Sequence, residues 1–331
     1  MDLALVSAAV IALGVLVYIV LDGFDLGVGV LFAAAPDEAA RATMMNSIAP
    51  VWDGNETWLI LGGAVLFAAF PLAYAVALPA LYIPLMLMLF ALIFRGVSFE
   101  LRFKAKNPRP WDFAFGLGST VAAFMQGAML GGLVNGIKVE NNAFAGGPFD
   151  WVTPLAVAAG LGVVAGYALL GACWLVLKTE GELQARARVW GRWLTLAVLA
   201  AMGTVSLITP LEHARVAARW FSGLNIVALA PVPLAALGAA YLLWSALKQG
   251  AERAPFFLAV LMFLLGFAGI AISLWPYIVP YAVTIWAAAA PRASQVFTLI
   301  GVAVALPMVA VYTIYAYRVF RGKVSEGYHA H

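Results

Sequence analysis

Nine long apolar segments recur along the chain, and they limit its fold more than any other feature. They cover residues 4–32, 54–75, 79–94, 113–135, 152–177, 194–209, 224–247, 256–275 and 295–317. A membrane helix needs about 20 apolar residues to cross the hydrocarbon layer, and open sheets cannot satisfy their backbone hydrogen bonds there. The sequence therefore predicts an all-α integral membrane protein with about nine transmembrane helices.

Composition supports this fold class. The chain is 64% apolar and 11% charged, whereas a soluble domain has about 25% charged residues. The connections are short, so we expect one polytopic membrane domain over 1–331 and no soluble domain. The amino terminus lacks the basic region of a cleavable signal, which predicts a retained first helix.

The basic residues are sorted by loop. If the amino terminus is outside, the outer loops hold Lys138, Arg215, Arg219 and Arg292, and the other fifteen of the 19 Lys and Arg residues are cytoplasmic. Those fifteen include Arg95, in the sequence FRGVSFELRFK after the third apolar segment. The positive-inside rule therefore predicts an outside amino terminus and a cytoplasmic carboxyl terminus.

Four acidic residues lie in or beside the first two apolar segments. They occur in LDGFDLGVGVL and NSIAPVWDGNETW, with a short polar turn predicted between, and they are Asp22, Asp25, Asp53 and Glu56. Each pair is spaced i, i+3 and so shares a helical face. An ionisable residue at membrane depth is costly and marks a functional site. The predicted topology places all four toward the cytoplasmic side, where acidic groups that pair or take up protons suit proton transfer.

These carboxylates also have structural interpretations, which the residues alone leave open. Asp53 can cap the second helix, whose start the sequence NSIAP resembles. Asp25 can pair with Arg95 as part of packing, and Asp22 can be a surface or capping residue.

Ligands for redox cofactors are scarce. Haem iron is typically held by histidines within helices, but the three histidines are His213 in an outer loop and His329 and His331 in the tail. The single cysteine, Cys173, cannot form an intrachain disulfide and is expected to be a small core residue. We predict that this chain ligates no haem and no metal.

Five motifs together carry a family resemblance. LDGFDLGVGVL, NSIAPVWDGNETWLI, FRGVSFELR, WPYIVP and YRVFRGKV closely resemble subunit II of the cytochrome bd-type quinol oxidases. The resemblance implies a haem-free, nine-helix subunit in the bacterial cytoplasmic membrane. It also implies a partner, subunit I, that is related to it by a pseudo-twofold axis and carries haems b and b/d. The implied reaction of the complex is quinol oxidation coupled to reduction of dioxygen to water.

The resemblance also implies roles for individual residues. Asp25 and Asp53 match acidic positions that contribute to a proton path from the cytoplasm toward the haem site. Arg95 and Glu100 match a polar cluster at the end of the third helix. Glu56 departs from the family pattern, because many relatives have a neutral residue there, and it is a further candidate for the path.

The resemblance extends to other contacts. Trp58 matches a tryptophan near a proposed oxygen route, although Trp52 and Trp58 also suit anchors at a lipid–water interface. The implied partners include the quinone pool, membrane lipid and a small single-helix subunit, with a structural quinone or lipid between helices and no nucleic acid.

Two other functions fit the same carboxylates. One is a proton-coupled transporter, although related halves and helices broken at the midplane, which are usual in transporters, are not evident in the sequence. The other is an assembly subunit whose carboxylates are purely structural.

Overall fold

The computed structural model describes residues 2–324. Within this range the chain forms fourteen α-helices and two small antiparallel hairpins. The helices are α1 (Leu3–Leu31), α2 (Glu38–Ile48), α3 (Trp52–Ala69), α4 (Pro71–Ala80), α5 (Tyr82–Arg102), α6 (Arg109–Asn135), α7 (Pro154–Lys178), α8 (Gly181–Glu212), α9 (Ala214–Phe221), α10 (Asn225–Leu229), α11 (Pro231–Lys248), α12 (Ala254–Leu274), α13 (Ile285–Ala288) and α14 (Arg292–Val319). The strands are β1 (Val139–Glu140), β2 (Ala143–Phe144), β3 (Tyr277–Val279) and β4 (Val283–Thr284).

Eight of the described helical segments are long and apolar enough to cross a membrane, and α10 with α11 counts as one of them. The remaining predicted segment, 54–75, corresponds mainly to α3. That helix has 18 residues, but its first two turns carry Asp53, Asn55 and Glu56. The multi-pass helical architecture is therefore confirmed, while the count of nine spans depends on α3.

The connection between the first two apolar segments differs from the predicted polar turn. It contains the 11-residue helix α2, which begins after Asp37 and buries Met44, Met45 and Ile48 completely. The NSIAP sequence does not start the next helix, because Asn46 and Ser47 lie in the last turn of α2. Burial of one apolar face stabilises this helix without a long apolar run.

The end of the third apolar segment also differs from the expectation. Helix α5 continues past residue 94 to Arg102, and the side chain of Arg95 is fully buried within it. Arg95 was counted among the cytoplasmic loop residues, and that assignment is wrong. The sorting of the remaining basic residues is still strongly asymmetric, with fourteen against four.

Helix α1 is the central element of the bundle and packs against α3, α6 and α7. Its contact with α7 is close: a Cβ atom on Gly27 would overlap the carbonyl oxygen of Tyr167. Near the same level Phe24 stacks on Trp174 with ring centroids 4.1 Å apart. Cys173 is fully buried beside them, as the sequence predicts.

The hairpins lie in the two longest loops and are an addition to the all-α prediction. Strands β1 and β2 lie in the α6–α7 connection, and Lys138 pairs there with Asp150 at 3.3 Å. Hydrogen bonds from the backbone of Gly147 and from Lys138 hold the pKa of Asp150 below its usual value. Strands β3 and β4 follow α12, and Arg215 donates to the Tyr277 hydroxyl at 3.0 Å.

The segment after α14 docks on the end of α7. The amide nitrogen of Val324 donates to the Lys178 carbonyl at 2.8 Å, and Lys323 Nζ lies 3.0 Å from Glu252 Oε2. Hydrogen bonds from Lys323 and Gln184 lower the pKa of the Glu252 carboxyl. These contacts join α7, α14 and the α11–α12 connection at one end of the bundle.

Candidate functional site

One buried arginine collects three carboxyl groups inside the helical bundle. Arg95 on α5 has no exposed surface. Its Nη1 atom donates to Asp22 Oδ1 at 3.0 Å and to Glu56 Oε1 at 2.6 Å, and its Nη2 atom lies 3.9 Å from Asp25 Oδ2. We call Asp22, Asp25, Glu56 and Arg95 the carboxylate cluster.

The helices explain why these residues meet. Asp22 and Asp25 are one turn apart on α1, and α1 packs directly against α3, which supplies Glu56 in its second turn. The side chains of Asp22 and Asp25 are fully buried, whereas that of Glu56 is 25% exposed. Glu56 is therefore the member of the cluster that reaches the surface of this chain.

A second layer of hydrogen bonds fixes Asp25. Asn55 Nδ2 donates to Asp25 Oδ2 at 2.6 Å and to the Leu21 carbonyl at 3.3 Å. The hydroxyl of Tyr317 on α14 donates to Asn55 Oδ1 at 3.0 Å. Because the amide oxygen of Asn55 faces Tyr317, its nitrogen faces the carboxylate. Helices α1, α3 and α14 are thereby joined around Asp25.

Aromatic rings cover the arginine from the other side. The Arg95 guanidinium carbon lies 5.5 Å from the centroid of Trp52 and 5.8 Å from that of Phe99. The two rings stack on each other with centroids 4.8 Å apart. Cation–π contact favours the charged guanidinium in a desolvated site, so this packing helps to keep Arg95 buried.

The charge balance of the cluster suits proton binding. Three carboxyl groups share one guanidinium, so the cluster is electrically neutral when a single carboxyl is ionised and the other two carry protons. Burying unpaired charge is costly, which favours that neutral arrangement. Asp25 Oδ1 accepts no hydrogen bond from any residue in 2–324. That oxygen is free to take a proton without breaking a contact.

The structure brings some predicted residues together and leaves others apart. Asp22 is a buried partner of Arg95, so its interpretation as a surface or capping residue is wrong. Asp53 is exposed in the first turn of α3. It does not occupy the capping position of this helix, which is Val51. Glu100 is also outside the cluster, because its side chain is 69% exposed and pairs with Lys104 at 3.1 Å.

The remaining predicted residues lie in distinct settings. Trp58 is buried between α3 and α14, where its Nε1 atom donates to Thr313 Oγ1 at 3.3 Å, so it is not an interface anchor. His213 stacks on Tyr281 in the short connection between α8 and α9, and His329 and His331 lie outside the described residues. In residues 2–324 no group of three or more His, Cys, Asp or Glu side chains is placed to hold a metal ion.

Sequence reasoning missed several polar neighbours of the cluster, above all Asn55 and Tyr317. Asn55 carried a usable signal, since an amide inside a membrane helix needs a hydrogen-bond partner. Tyr317 carried none, because it is one of several tyrosines on α14 and only packing selects it.

Comparison with known proteins identifies relatives over almost the whole chain. The profile of the family described as cytochrome bd terminal oxidase subunit II matches residues 3–320. The chain is 30% identical to a probable cytochrome oxidase subunit 2 of Haemophilus influenzae, over 93% of this chain and 92% of that protein. It is 29% identical to cytochrome bd-I ubiquinol oxidase subunit 2 of Escherichia coli K12 over the same shares.

A solved structure shares the fold. A chain of the bd oxidase from Geobacillus thermodenitrificans superimposes with a TM-score of 0.77 and 16% sequence identity, covering 97% of this chain and 99% of that one.

Proposed function

Because the chain belongs to the cytochrome bd terminal oxidase subunit II family, we propose that it is the haem-free subunit II of a bd-type quinol oxidase. The complex oxidises quinol and reduces dioxygen to water. In this proposal subunit I holds haems b and b/d. Within residues 2–324 the histidine of this chain is His213, and it lies in the connection between α8 and α9, not inside a membrane helix. The names of the relatives and the multi-pass architecture support the proposal.

The proposal includes the arrangement of the chain in the membrane. It lies in the bacterial cytoplasmic membrane with nine spans, counting α3, an outside amino terminus and a cytoplasmic carboxyl terminus. It packs against subunit I about a pseudo-twofold axis. The asymmetry of the basic residues supports this orientation.

The carboxylate cluster takes up protons from the cytoplasmic side and passes them toward the partner subunit. The observation that carries this step is the convergence of three carboxyls on Arg95, with only Glu56 reaching the surface. Reduction of dioxygen to water consumes protons, so a path of this kind is needed at the reaction site.

The geometry supports a sequence of proton positions. Glu56 exchanges a proton with water at the surface of the chain. Glu56 and Asp22 accept hydrogen bonds from the same Arg95 nitrogen, so the charge on Glu56 acts on the rest of the cluster at close range. Asp25 holds the buried proton and is kept in place by Asn55.

Asp53 and Glu100 have weaker support than the cluster. Asp53 lies on the exposed side of α3, three residues before Glu56, and joins the path only if the partner subunit covers that side. Glu100 points away from the cluster toward Lys104, and we leave it outside the path. Trp58 contacts Thr313 between helices, where packing explains its burial.

The proposal is tested in the purified complex with Asp25→Asn. Asn keeps the shape and cannot carry a proton, so we expect quinol-dependent oxygen uptake and proton uptake to fall about tenfold or more, with normal assembly and haem absorption. Asp150→Asn is the matched control, because Asp150 pairs with Lys138 in the α6–α7 loop, and it should behave as the wild type.

Other outcomes would identify the alternatives. Wild-type proton uptake by Asp25→Asn excludes a proton role for the cluster. Loss of assembly with normal turnover in the surviving complex supports a purely structural subunit. Solute movement by the chain alone in vesicles supports a transporter.

A further inference from the structure

A hydrogen-bonded chain of three side chains, two of them buried, lies next to the carboxylate cluster. It consists of Tyr18 on α1, Gln126 on α6 and Tyr167 on α7, and we call it the tyrosine chain. The Tyr167 hydroxyl donates to Gln126 Oε1 at 2.7 Å, and Gln126 Nε2 donates to the Tyr18 oxygen at 2.8 Å. Tyr18 and Tyr167 are 3% and 2% exposed, so their side chains are shielded from water by the surrounding helices.

The donors and acceptors of the tyrosine chain point in one direction. Since Tyr167 donates to the oxygen of Gln126, the amide nitrogen must face Tyr18. The Tyr18 oxygen then accepts, and its own hydrogen is left to donate elsewhere. Tyr18 lies one helical turn before Asp22 on α1, so the two side chains share one face of that helix.

Asp22 has an oxygen that fits this donor. Its Oδ1 atom is bound by Arg95, whereas its Oδ2 atom is buried and accepts no hydrogen bond of standard geometry from residues 2–324. A buried carboxylate oxygen without a donor is costly, and the Tyr18 hydroxyl is the neighbouring group with a free hydrogen.

We propose that Tyr18, oriented by Gln126 and Tyr167, is a positioning residue that donates to Asp22 and fixes it as the permanent counter-ion of Arg95. Donors on both oxygens favour the charged form of a carboxylate. Asp22 then stays ionised, and the exchangeable protons are confined to Asp25 and Glu56. This inference rests on the proposed role of the cluster in proton uptake.

The tyrosine chain positions Asp22 and does not itself conduct protons. Its far end is closed by packing, because the Tyr167 ring stacks on Phe263 and lies against Gly23. The titratable and charged groups that face Asp22 from the surrounding helices are Tyr18 and Asp25 of α1, Glu56 of α3, Arg95 of α5, Tyr167 of α7 and Tyr317 of α14.

The test compares Tyr18→Phe with the wild type in the purified quinol oxidase complex. The substitution removes only the hydroxyl. Without that donor Asp22 competes for the cluster's protons, so we expect kcat to fall about threefold to tenfold with the KM for quinol unchanged. The alkaline limb of the pH–rate profile should move up by about one pH unit, since a hydrogen bond to a charged group is equivalent to about a tenfold change in proton affinity. Tyr241→Phe, at a side chain 73% exposed on α11, should leave both unchanged.

Measuring Asp25→Asn in the same preparation separates the two proposals. If Asp25→Asn slows proton uptake but Tyr18→Phe has wild-type kcat and pH profile, the positioning role is wrong and the proposed function stands. If Asp25→Asn has normal proton uptake, the proposed function itself fails. If Tyr18→Phe does not assemble, Tyr167→Phe tests the proposal instead, because it keeps the Tyr18 hydroxyl but removes the group that orients Gln126. A smaller shift of the pH–rate profile in the same direction supports the positioning role. A wild-type pH–rate profile overturns it.

Discussion

At the scale of single residues, Glu56 is the connection between the buried cluster and the surface. Its Oε1 atom lies 2.6 Å from Arg95 Nη1, and its side chain is 25% exposed. Glu56→Gln retains an oxygen acceptor for Arg95 and removes the exchangeable proton. We expect the complex to assemble normally, because Asp22 remains as a counter-ion of Arg95 and the amide oxygen still accepts a hydrogen bond. Proton uptake should slow about fivefold or more, because a positioned proton carrier is lost.

Glu100→Gln is the matched control for this variant. Glu100 lies on α5, five residues after Arg95, but it is exposed and pairs only along its own helix with Lys104. Stopped-flow measurement of proton uptake in both variants tests whether Glu56 carries protons to the cluster. Equal, wild-type rates in both would show that protons reach Arg95 without Glu56.

The cluster could be predicted from sequence only in part. Asp25 was identifiable because charge inside apolar sequence needs a partner, and Arg95 was its candidate partner at the predicted end of the third segment. The i, i+3 spacing placed Asp53 and Glu56 on one face of α3, but it could not show that Glu56 turns inward while Asp53 stays exposed. That choice depends on how α3 is rotated against α1 and α5, and rotation is set by packing over the whole bundle.

At the scale of helices, the approach of α1 to α7 decides whether the cluster and the tyrosine chain keep their geometry. Gly27→Ala would place a methyl group onto the Tyr167 carbonyl and force the two helices apart. Overpacking of this kind costs about 1–3 kcal/mol. We therefore expect a lower melting temperature for the purified complex, measured by the loss of native haem absorption on heating.

Gly203→Ala provides the comparison for that substitution. Gly203 is also inside a long helix, α8, but an added Cβ atom there meets nothing within 4 Å. Alanine has the higher helix propensity, so this variant should be as stable as the wild type or slightly more so. An unchanged melting temperature for Gly27→Ala would mean that α1 and α7 can separate without cost.

Helix boundaries were predicted best where a long apolar run fixes them. Helix α2 was missed because its apolar residues, Met44, Met45 and Ile48, are few and find their partners only in the folded bundle. The end of α5 was placed too early because a charged residue interrupts its apolar run. Arg95 looked like the end of the membrane segment, although carboxylates from two other helices allow it to be buried.

At the scale of the whole molecule, the proposed orientation can be tested with single cysteines. The one native cysteine, Cys173, is fully buried in α7, so a membrane-impermeant maleimide should not label the wild-type chain. Ala143→Cys places an exposed thiol in strand β2, and Lys106→Cys places one in the α5–α6 connection. With an outside amino terminus, the first should be labelled on intact spheroplasts and the second only after the membrane is opened.

The two sites are informative together because α6 alone separates them. The connection at Lys106 precedes α6 and the β1–β2 hairpin follows it, so a single crossing requires opposite labelling. The inverted pattern, with Lys106→Cys labelled from outside, would reverse the orientation and place the carboxylate cluster near the outer face. Proton uptake from the cytoplasm through Glu56 would then be excluded, even if the fold and the assembly were correct. The same labelling pattern at both sites would mean that α6 does not cross the membrane.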